Sequence, residues 1–461
     1  MNALAQPITG PAGRRLNANA ARITRSFARG LRPPARITVS EWAAQHRYFA
    51  DDSPMPGLYD PATAPYLREI MDRVSPHDPA PEVSVIKCAQ SGGSVTGENM
   101  IGCIADVAPG PLMYVGPTIT AAKDWLAEKF WPMVEASPRL NPDRGGAIMP
   151  RRSRDGAGTT ALRVRFRTGG WMLIAGANSA ATLRQHSIRY VVEDDLDQFP
   201  DDLDNQGSTE GMVEARLTVF MRLGISKRLG ISTPTNKGAS KIGRRYAASD
   251  QRRFFLKCRH CDARFDPVFE DLKWPKGRPD LVELIAPCCG VAIQHWEKAL
   301  MSREDGWCPT VEIEGEAPPR VMDEEAFQAW RARDTKGLAP GYKITGLVTP
   351  LQTWATLCTT FVKAQGDVNA LRTWTNLKLG EEFVLKGDAP PADSLRVLRE
   401  QDWGRHQIPW GPVVFTLGCD VQGDGIYFEA VGWAFGLENW GLDHGFLPGA
   451  TDVPGEGAWA K

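Results

Sequence analysis

Two apolar runs that end in polar turns constrain this chain more than any other feature. Residues 83–94 read V-S-V-I-K-C-A-Q-S-G-G-S, and residues 188–200 read I-R-Y-V-V-E-D-D-L-D-Q-F-P. Short β-branched runs bounded by turn residues are strand signals. Each ends in groups suited to a nucleotide phosphate or its magnesium. Further strands are expected at 112–115, 161–166, 171–175, 188–193 and 228–232, with helices at 95–107 and 119–135. Strands alternating with helices imply a largely parallel α/β sheet. A helix start at Ser40-Glu41-Trp42-Ala43, with Ser40 as N-cap, precedes it.

A phosphate loop of the form G-x-x-x-x-G-K-[S/T] cradles phosphates with backbone N–H groups. Its lysine neutralises charge and its hydroxyl holds magnesium. Here Ser94 stands at the hydroxyl position, behind Gln90, Gly92 and Gly93. Gly93 occupies the usual lysine position, whereas Lys87 lies at the strand's edge, placed to reach the same phosphates from the other side. The segment alone also fits a strand–turn–helix without a ligand.

In the second run, Asp194 is placed to hold Mg²⁺ through water and Asp195 to polarise the attacking water. Glu193 and Asp197 add negative charge that a cation or proton must offset if it is buried. An exposed acidic turn is the alternative, since Asp201, Asp202 and Asp204 follow. The run I-S-T-P-T at 231–235 ends another strand in hydroxyls, placed to sense the γ-phosphate or to cap a helix.

Nine cysteines, an odd count, argue for reduced thiols and a cytosolic setting. Cys258-x-x-Cys261 and Cys288-Cys289-Gly290 suggest a zinc ribbon, with His260 and His295 as alternative fourth ligands. A metal-free ribbon is the other reading. Net charge is −1, so any contact with nucleic acid must come from local patches. No run of 18 apolar residues is present, and no membrane span is expected. Residues 1–40 carry seven arginines and no acid. They read as a solvated arm, a docking segment or a transit-peptide-like stretch.

Taken in order, S-E-W-A (40–43), K-C-A-Q-S-G-G-S (87–94), G-P-T (116–118), D-D-L-D-Q-F-P (194–200), S-T-P-T (232–235), C-R-H-C (258–261), T-N-L-K-L-G-E (375–381) and G-C-D-V-Q (418–422) resemble the large subunit of tailed-phage terminases of the lambda-like GpA family. The resemblance implies an ASCE-type P-loop ATPase with a mostly parallel sheet, a zinc-ribbon-like insert and the start of an RNase H-like nuclease domain. The expected organisation is an arginine-rich arm (1–40), an ATPase core (41–253), a cysteine-rich insert (254–310), a helical remainder (311–388), a linker (389–411) and an incomplete nuclease domain (412–461).

The resemblance also implies roles. Lys87 is the phosphate lysine and Ser94 the magnesium hydroxyl; Gln90, Gly92 and Gly93 complete the nucleotide loop. Asp194 is the metal-holding acid and Asp195 stands where the family usually has a glutamate. Ser232, Thr233 and Thr235 couple hydrolysis to DNA movement. Cys258, Cys261, Cys288 and Cys289 are the zinc candidates, Ala286 replacing one expected ligand. Arg184 and Arg216 are lesser candidates for stabilising phosphate charge. Asp420 would be the first nuclease carboxylate, binding Mg²⁺, with Glu429, Glu438 and Asp443 as substitutes for carboxylates that the family carries further on. The implied activity is ATP-driven packaging of viral double-stranded DNA into a procapsid in the bacterial cytoplasm. Cleavage of the concatemer would belong to the complete protein. The implied partners are a small terminase subunit, a portal ring and further copies of the chain. The rival readings are another P-loop translocase of helicase type and a non-catalytic relic that binds DNA or a partner.

Overall fold

Short hydrophobic runs, each bounded by a glycine, proline or acidic turn, supply one large sheet. A computed structural model describes residues 36–150, 162–203, 205–384 and 407–460, with residues 20, 22–24, 27, 159 and 160. Most of the arginine-rich arm and of the linker, and Asp204, lie outside the described residues.

The chain divides into residues 1–385 and 386–461. In the first unit, β1 (Glu82–Lys87), β2 (Pro111–Gly116), β3 (Arg163–Arg165), β4 (Trp171–Gly176), β5 (Tyr190–Asp194), β6 (Lys227–Ser232), β7 (Arg252–Phe254), β8 (Trp307–Cys308) and β9 (Gly341–Ile344) form one sheet. Their order is β8-β7-β9-β1-β6-β5-β2-β4-β3. Every pairing from β7 to β4 is parallel, and β8 and β3 close the edges antiparallel. One strand, β6, separates β1 from β5. Ile86 pairs with Ser232 and Asp194 with Ile231, so all three strands end together. This is the P-loop ATPase architecture.

Helices cover both faces, as a mainly parallel sheet requires. One face packs on α1 (Val39–His46), α2 (Leu67–Arg73) and α3 (Gly93–Val107), through Trp42, Ile70, Ile101 and Ile104. The other packs on α4 (Thr209–Arg222) and α5 (Lys241–Ala247), through Val213, Leu217 and Ile242. Thr38, not Ser40, caps α1: Thr38 and Glu41 exchange hydrogen bonds in a capping box, while Ser40 Oγ donates to Asp72. The capping box satisfies two helix-end donors at once, which Ser40 two residues later has no partner to do.

The stretch 311–388, expected to be helical, contributes β9 to the interior of the sheet, next to β1. A four-residue strand, G-Y-K-I, has too little sequence to show a period. The helical part of the stretch beyond β9 comes in three pieces, Trp354–Ala364, Val368–Thr373 and a π-helical turn, Trp374–Leu379. Between β7 and β8 the insert leaves the sheet. It pairs Leu272–Lys273, Glu283–Ile285 and Ala292–Ile293 in a small antiparallel sheet, beside a second one of Leu256–Lys257, Arg264–Phe265 and Val321–Met322.

Strand alternation sends Glu193 and Asp194 to opposite faces of β5. Glu193 therefore does not crowd the site, contrary to the expectation from sequence. It is fully buried between Arg228, whose Nη2 lies 2.9 Å from Oε1, and Arg245, whose Nη1 lies 2.6 Å from Oε2. Burial pushes its pKa up, but the two guanidinium groups prevail and hold it at about 2. The folded value is below the unfolded one. The stabilisation is thus present above the unfolded carboxylate range and fades as pH falls from about 4 toward 2. Glu193→Gln leaves two buried cations without their shared anion. It is expected to cost on the order of 3–5 kcal/mol at pH 7 and to flatten the acid limb of the stability curve, read by urea unfolding from pH 7 to pH 3.

The second unit is a three-stranded antiparallel sheet: β10 (Val414–Gln422), β11 (Gly425–Trp433) and β12 (Asn439–Pro448), in that order.

Candidate nucleotide site and cysteine cluster

The sheet edge where β1, β6 and β5 end gathers the expected groups. After Lys87 the chain turns through Cys88–Gly92 and enters α3 at Gly93. The amides of a first helical turn have no partner within the helix and face incoming anions. Gln90 and Gly92 both take positive φ, 59° and 76°, which helps turn successive N–H groups to one side. Ser91 Oγ donates to the Cys88 carbonyl at 2.8 Å and closes the turn.

The lysine replacement has a steric basis. A Cβ built on Gly93 would stand 2.4 Å from Lys87 Cδ. The Lys87 side chain thus runs over the position where a standard loop carries its lysine, so one side chain excludes the other. Its Nζ lies 3.9 Å from Asp195 Oδ1. Ser94 Oγ donates to Asp194 Oδ1 at 3.2 Å, and Tyr114 Oη donates to Oδ2 at 3.3 Å. Asp194 is buried. Burial first, then the neighbouring Asp195, push its pKa above the ordinary carboxylate value, against Lys87, Ser94 and Tyr114. A buried carboxylate so placed is a strong acceptor for a cation, and with the Ser94 hydroxyl it is the donor pair that a magnesium ion takes. Asp195 sits at φ 54°, ψ 48°, a conformation that Asp tolerates better than most residues, and is half exposed on the same side.

Asp197 is a connector rather than surplus charge. Its Oδ2 accepts from Thr235 Oγ1 and its Oδ1 from the Ile242 amide, both at 2.8 Å, while its own amide donates to Ser232 Oγ at 3.1 Å. It joins the end of β5 to the hydroxyl segment after β6. Thr233 contributes its carbonyl, which accepts from Ser232 Oγ at 2.9 Å. Arg184 and Arg216 are not at this edge. Arg216 Nη1 donates to the Arg184 carbonyl, and the Arg216 carbonyl accepts from the Ile188 amide, at the start of β5 rather than its end.

Sequence reasoning missed three groups. Tyr114 ends no motif, yet it stacks on Trp125 at 3.7 Å and reaches Asp194. Tyr66 Oη donates to the Ser91 carbonyl and meets Thr349 Oγ1, both at 2.7 Å, bracing the loop from beneath. A pocket of 210 Å³ beside Gly92 is mainly apolar and aromatic, lined by Phe49, Leu58, Tyr59, Leu67, Val95 and Leu351, with Asp60 and Thr63 among its polar groups. The proximity of Thr349 and Leu351 to the loop depends on β9, which sequence did not reveal.

The four cysteine sulfurs lie within 4.8 Å of one another, the only such cluster of His, Cys, Asp or Glu among the described residues. Cys258 to Cys289 is 3.8 Å, Cys261 to Cys288 is 3.5 Å and Cys288 to Cys289 is 3.9 Å. A tetrahedron with Zn–S of about 2.3 Å needs S···S of roughly 3.8 Å, so the sulfurs fit that ion. The Cys258 amide donates to the Ala263 carbonyl, and Ala286 repeats this with Val291. Ala286 therefore holds the backbone position matching Cys258, and Cys288 supplies the sulfur instead. The two histidines are occupied elsewhere: His260 Nε2 lies 3.3 Å from Glu297 Oε2, and His295 Nδ1 accepts from the Trp354 amide at 3.5 Å.

In the second unit Asp420 lies opposite Tyr427, and Glu429 opposite Gly418 and His444, which puts Asp420 and Glu429 on one face. Asp443 pairs with Ala430 and lies on the other face, so it does not join them; Glu438 is in the turn before β12. Gln422 Nε2 donates to Asp420 Oδ2 at 2.9 Å.

Residues 53–307 match the family described as "Phage terminase large subunit gpA, ATPase domain", and residues 339–461 match "Terminase large subunit gpA, endonuclease domain". The chain is 25% identical over 450 residues to the terminase large subunit of Escherichia phage lambda, covering 93% of this chain and 65% of that protein. It is 24% identical over 450 residues to that of Enterobacteria phage P21, covering 94% and 66%. It thus spans 65–66% of the length of these curated relatives. Among solved structures, the HK97 bacteriophage large terminase superposes with a TM-score of 0.39 at 14% identity, over 87% of this chain and 67% of that one.

Proposed function

We propose that this chain, which belongs to the phage terminase large subunit gpA family, hydrolyses ATP at the loop from Lys87 to Ser94 and uses the cycle to drive double-stranded DNA into a procapsid. The observation that carries this reading is the meeting of the Ser94 hydroxyl, the Asp194 carboxylate and the Lys87 ammonium beside the start of α3. The loop amides and the first turn of α3 bind the phosphates. Lys87 neutralises phosphate charge from the strand side. Magnesium, held at Ser94 and Asp194, would offset the charge that develops on the transferred phosphoryl oxygens. Asp195, half exposed and beside Lys87, orients the attacking water and accepts its proton. The base enters the pocket of Phe49, Tyr59 and Leu67. Loss of the γ-phosphate is relayed from Asp195 through Asp197 to Ser232, Thr233 and Thr235.

The proposed partners are DNA, a small terminase subunit, a portal ring and further copies of the chain. A catalytic role for Asp420 in cleavage, with Glu429 on the same face, is the matching proposal for residues 412–461. No helix among the described residues is long and apolar enough to cross a membrane.

Steady-state hydrolysis by the full chain, with and without Mg²⁺ and duplex DNA, tests the reading. Magnesium-dependent turnover that DNA accelerates is expected. A folded protein that neither turns over nor binds ATP would sink it.

The cysteine cluster is proposed as a structural zinc site, since four protein ligands leave no open position. One zinc per chain is expected by elemental analysis. Cys288→Ser should remove most of it, and His260→Ala should retain it.

A further inference from the structure

The insert carries a buried cation with no part in the chemistry above. Lys298 has no exposed surface. Its Nζ donates to the carbonyls of Gly346 and Gln352, both at 2.8 Å, and stands 5.5 Å from the Trp354 ring. Burial pushes its pKa down to about 7.

The loop it holds, residues 345–352, is the one that braces the phosphate loop. Thr349 meets Tyr66, Tyr66 donates to the Ser91 carbonyl, and both side chains are fully buried. The Ile344 carbonyl, just before this loop, accepts from the Cys88 amide at 2.9 Å, and Leu351 lines the apolar pocket. On its other side Lys298 follows Glu297. That carboxylate caps its own turn through the Gln294 amide at 3.1 Å and reaches His260, which lies between Cys258 and Cys261. A path of chain neighbours and polar contacts therefore runs from the cysteine cluster, through His260, Glu297, Lys298, residues 345–352 and Tyr66, to Ser91.

We propose that metal at the four cysteines and nucleotide at the phosphate loop are thermodynamically linked through Lys298, which acts as a positioning residue. The proposal rests on the nucleotide-binding and zinc readings given above. Metal joins the Cys258–Cys261 turn to Cys288 and Cys289 and fixes the turn that carries Glu297 and Lys298. Lys298 then fixes both ends of residues 345–352, and with them Tyr66 and Ser91. Without metal this ordering falls to the nucleotide, which binds more weakly by that amount. Linkage is reciprocal, so nucleotide must tighten metal by the same factor.

The test uses the full chain. A fluorescent ATP analogue with Mg²⁺ is titrated into zinc-loaded and zinc-stripped protein, and zinc affinity is measured by chelator competition with and without the analogue. Both affinities are expected to shift by about 10-fold, within the usual range of such couplings. Lys298→Met should keep one zinc per chain and lose the shift in both directions. Equal zinc affinity with and without nucleotide overturns the linkage, and that arm needs only folded, zinc-loaded wild type. Nucleotide affinity unchanged by stripping overturns it too, as does a chain that binds no zinc. Zinc-loaded wild type that fails to bind the analogue overturns the nucleotide reading, and the linkage with it.

Discussion

Lys87→Ala is expected to lower ATP hydrolysis by at least ~100-fold, the usual cost of removing one preorganised charge donor from a transition state, with the unfolding midpoint little changed. The Lys87 side chain runs over Gly93 with its Nζ toward Asp195, at the sheet edge rather than within the core clusters. The steric exclusion makes a sharper forecast. Gly93→Lys alone must displace Lys87, because a Cβ there meets Lys87 Cδ at 2.4 Å, and it should be inactive. In the double variant, Lys87→Ala with Gly93→Lys, the space is free and the lysine returns to the position of a standard loop. Turnover should recover by roughly 10-fold or more over Lys87→Ala, within the range one such donor supplies. If the double variant is no better than Lys87→Ala, the phosphate does not lie where the two side chains cross. Wild-type turnover in Lys87→Ala would remove the lysine from the mechanism altogether.

Asp194→Asn is expected to abolish magnesium-dependent turnover, by ~100-fold or more, and to raise the Mg²⁺ needed for half-maximal activity. The amide keeps the shape and the bond from Ser94 but offers the metal no charge. The acid limb of the wild-type pH profile follows from the same carboxylate. Burial and Asp195 raise its pKa, so its working ionised form is lost at a higher pH than for an exposed aspartate, and activity falls as pH falls through that raised value. Metal and proton compete for one carboxylate. Excess Mg²⁺ should therefore move the acid limb to lower pH. An acid limb that stays put as Mg²⁺ is raised would assign the titration to another group. Tyr114→Phe removes one hydrogen bond to Asp194 Oδ2 and should shift the Mg²⁺ requirement by a smaller factor, about 5-fold for one net hydrogen bond.

Much of the site was readable along the chain because its signals are local. A β-branched run, a glycine turn and a hydroxyl entering a helix are encoded within a dozen residues, and so are the acidic strand end and the hydroxyl segment at 231–235. The cysteine spacing likewise marked the insert, and the departure at Ala286 was visible as a substitution. What local patterns could not weigh was direction. Glu193 and Asp194 are adjacent letters, yet alternation along β5 commits one to a buried pair of arginines and the other to the phosphate edge. Asp197 reads as more acid until Thr235 and the Ile242 amide are seen to hold it.

By itself, then, the sequence determined which residues stand within one strand and its turn as candidates: Lys87 near the place of a loop lysine, Ser94, Asp194, Asp195 and the cysteines of the insert. Only the tertiary structure decided that residues 341–344, some 250 positions downstream, pair beside β1 and bring Thr349 and Leu351 under the phosphate loop. It alone decided that Cys288 takes the sulfur place Ala286 lacks, and that Lys298 reaches from the insert to the loop after β9. The physical reason is one of range. Turn chemistry and side-chain alternation act between neighbours, whereas a four-residue strand and a buried lysine acquire their roles from partners that only the packed sheet brings within hydrogen-bond distance.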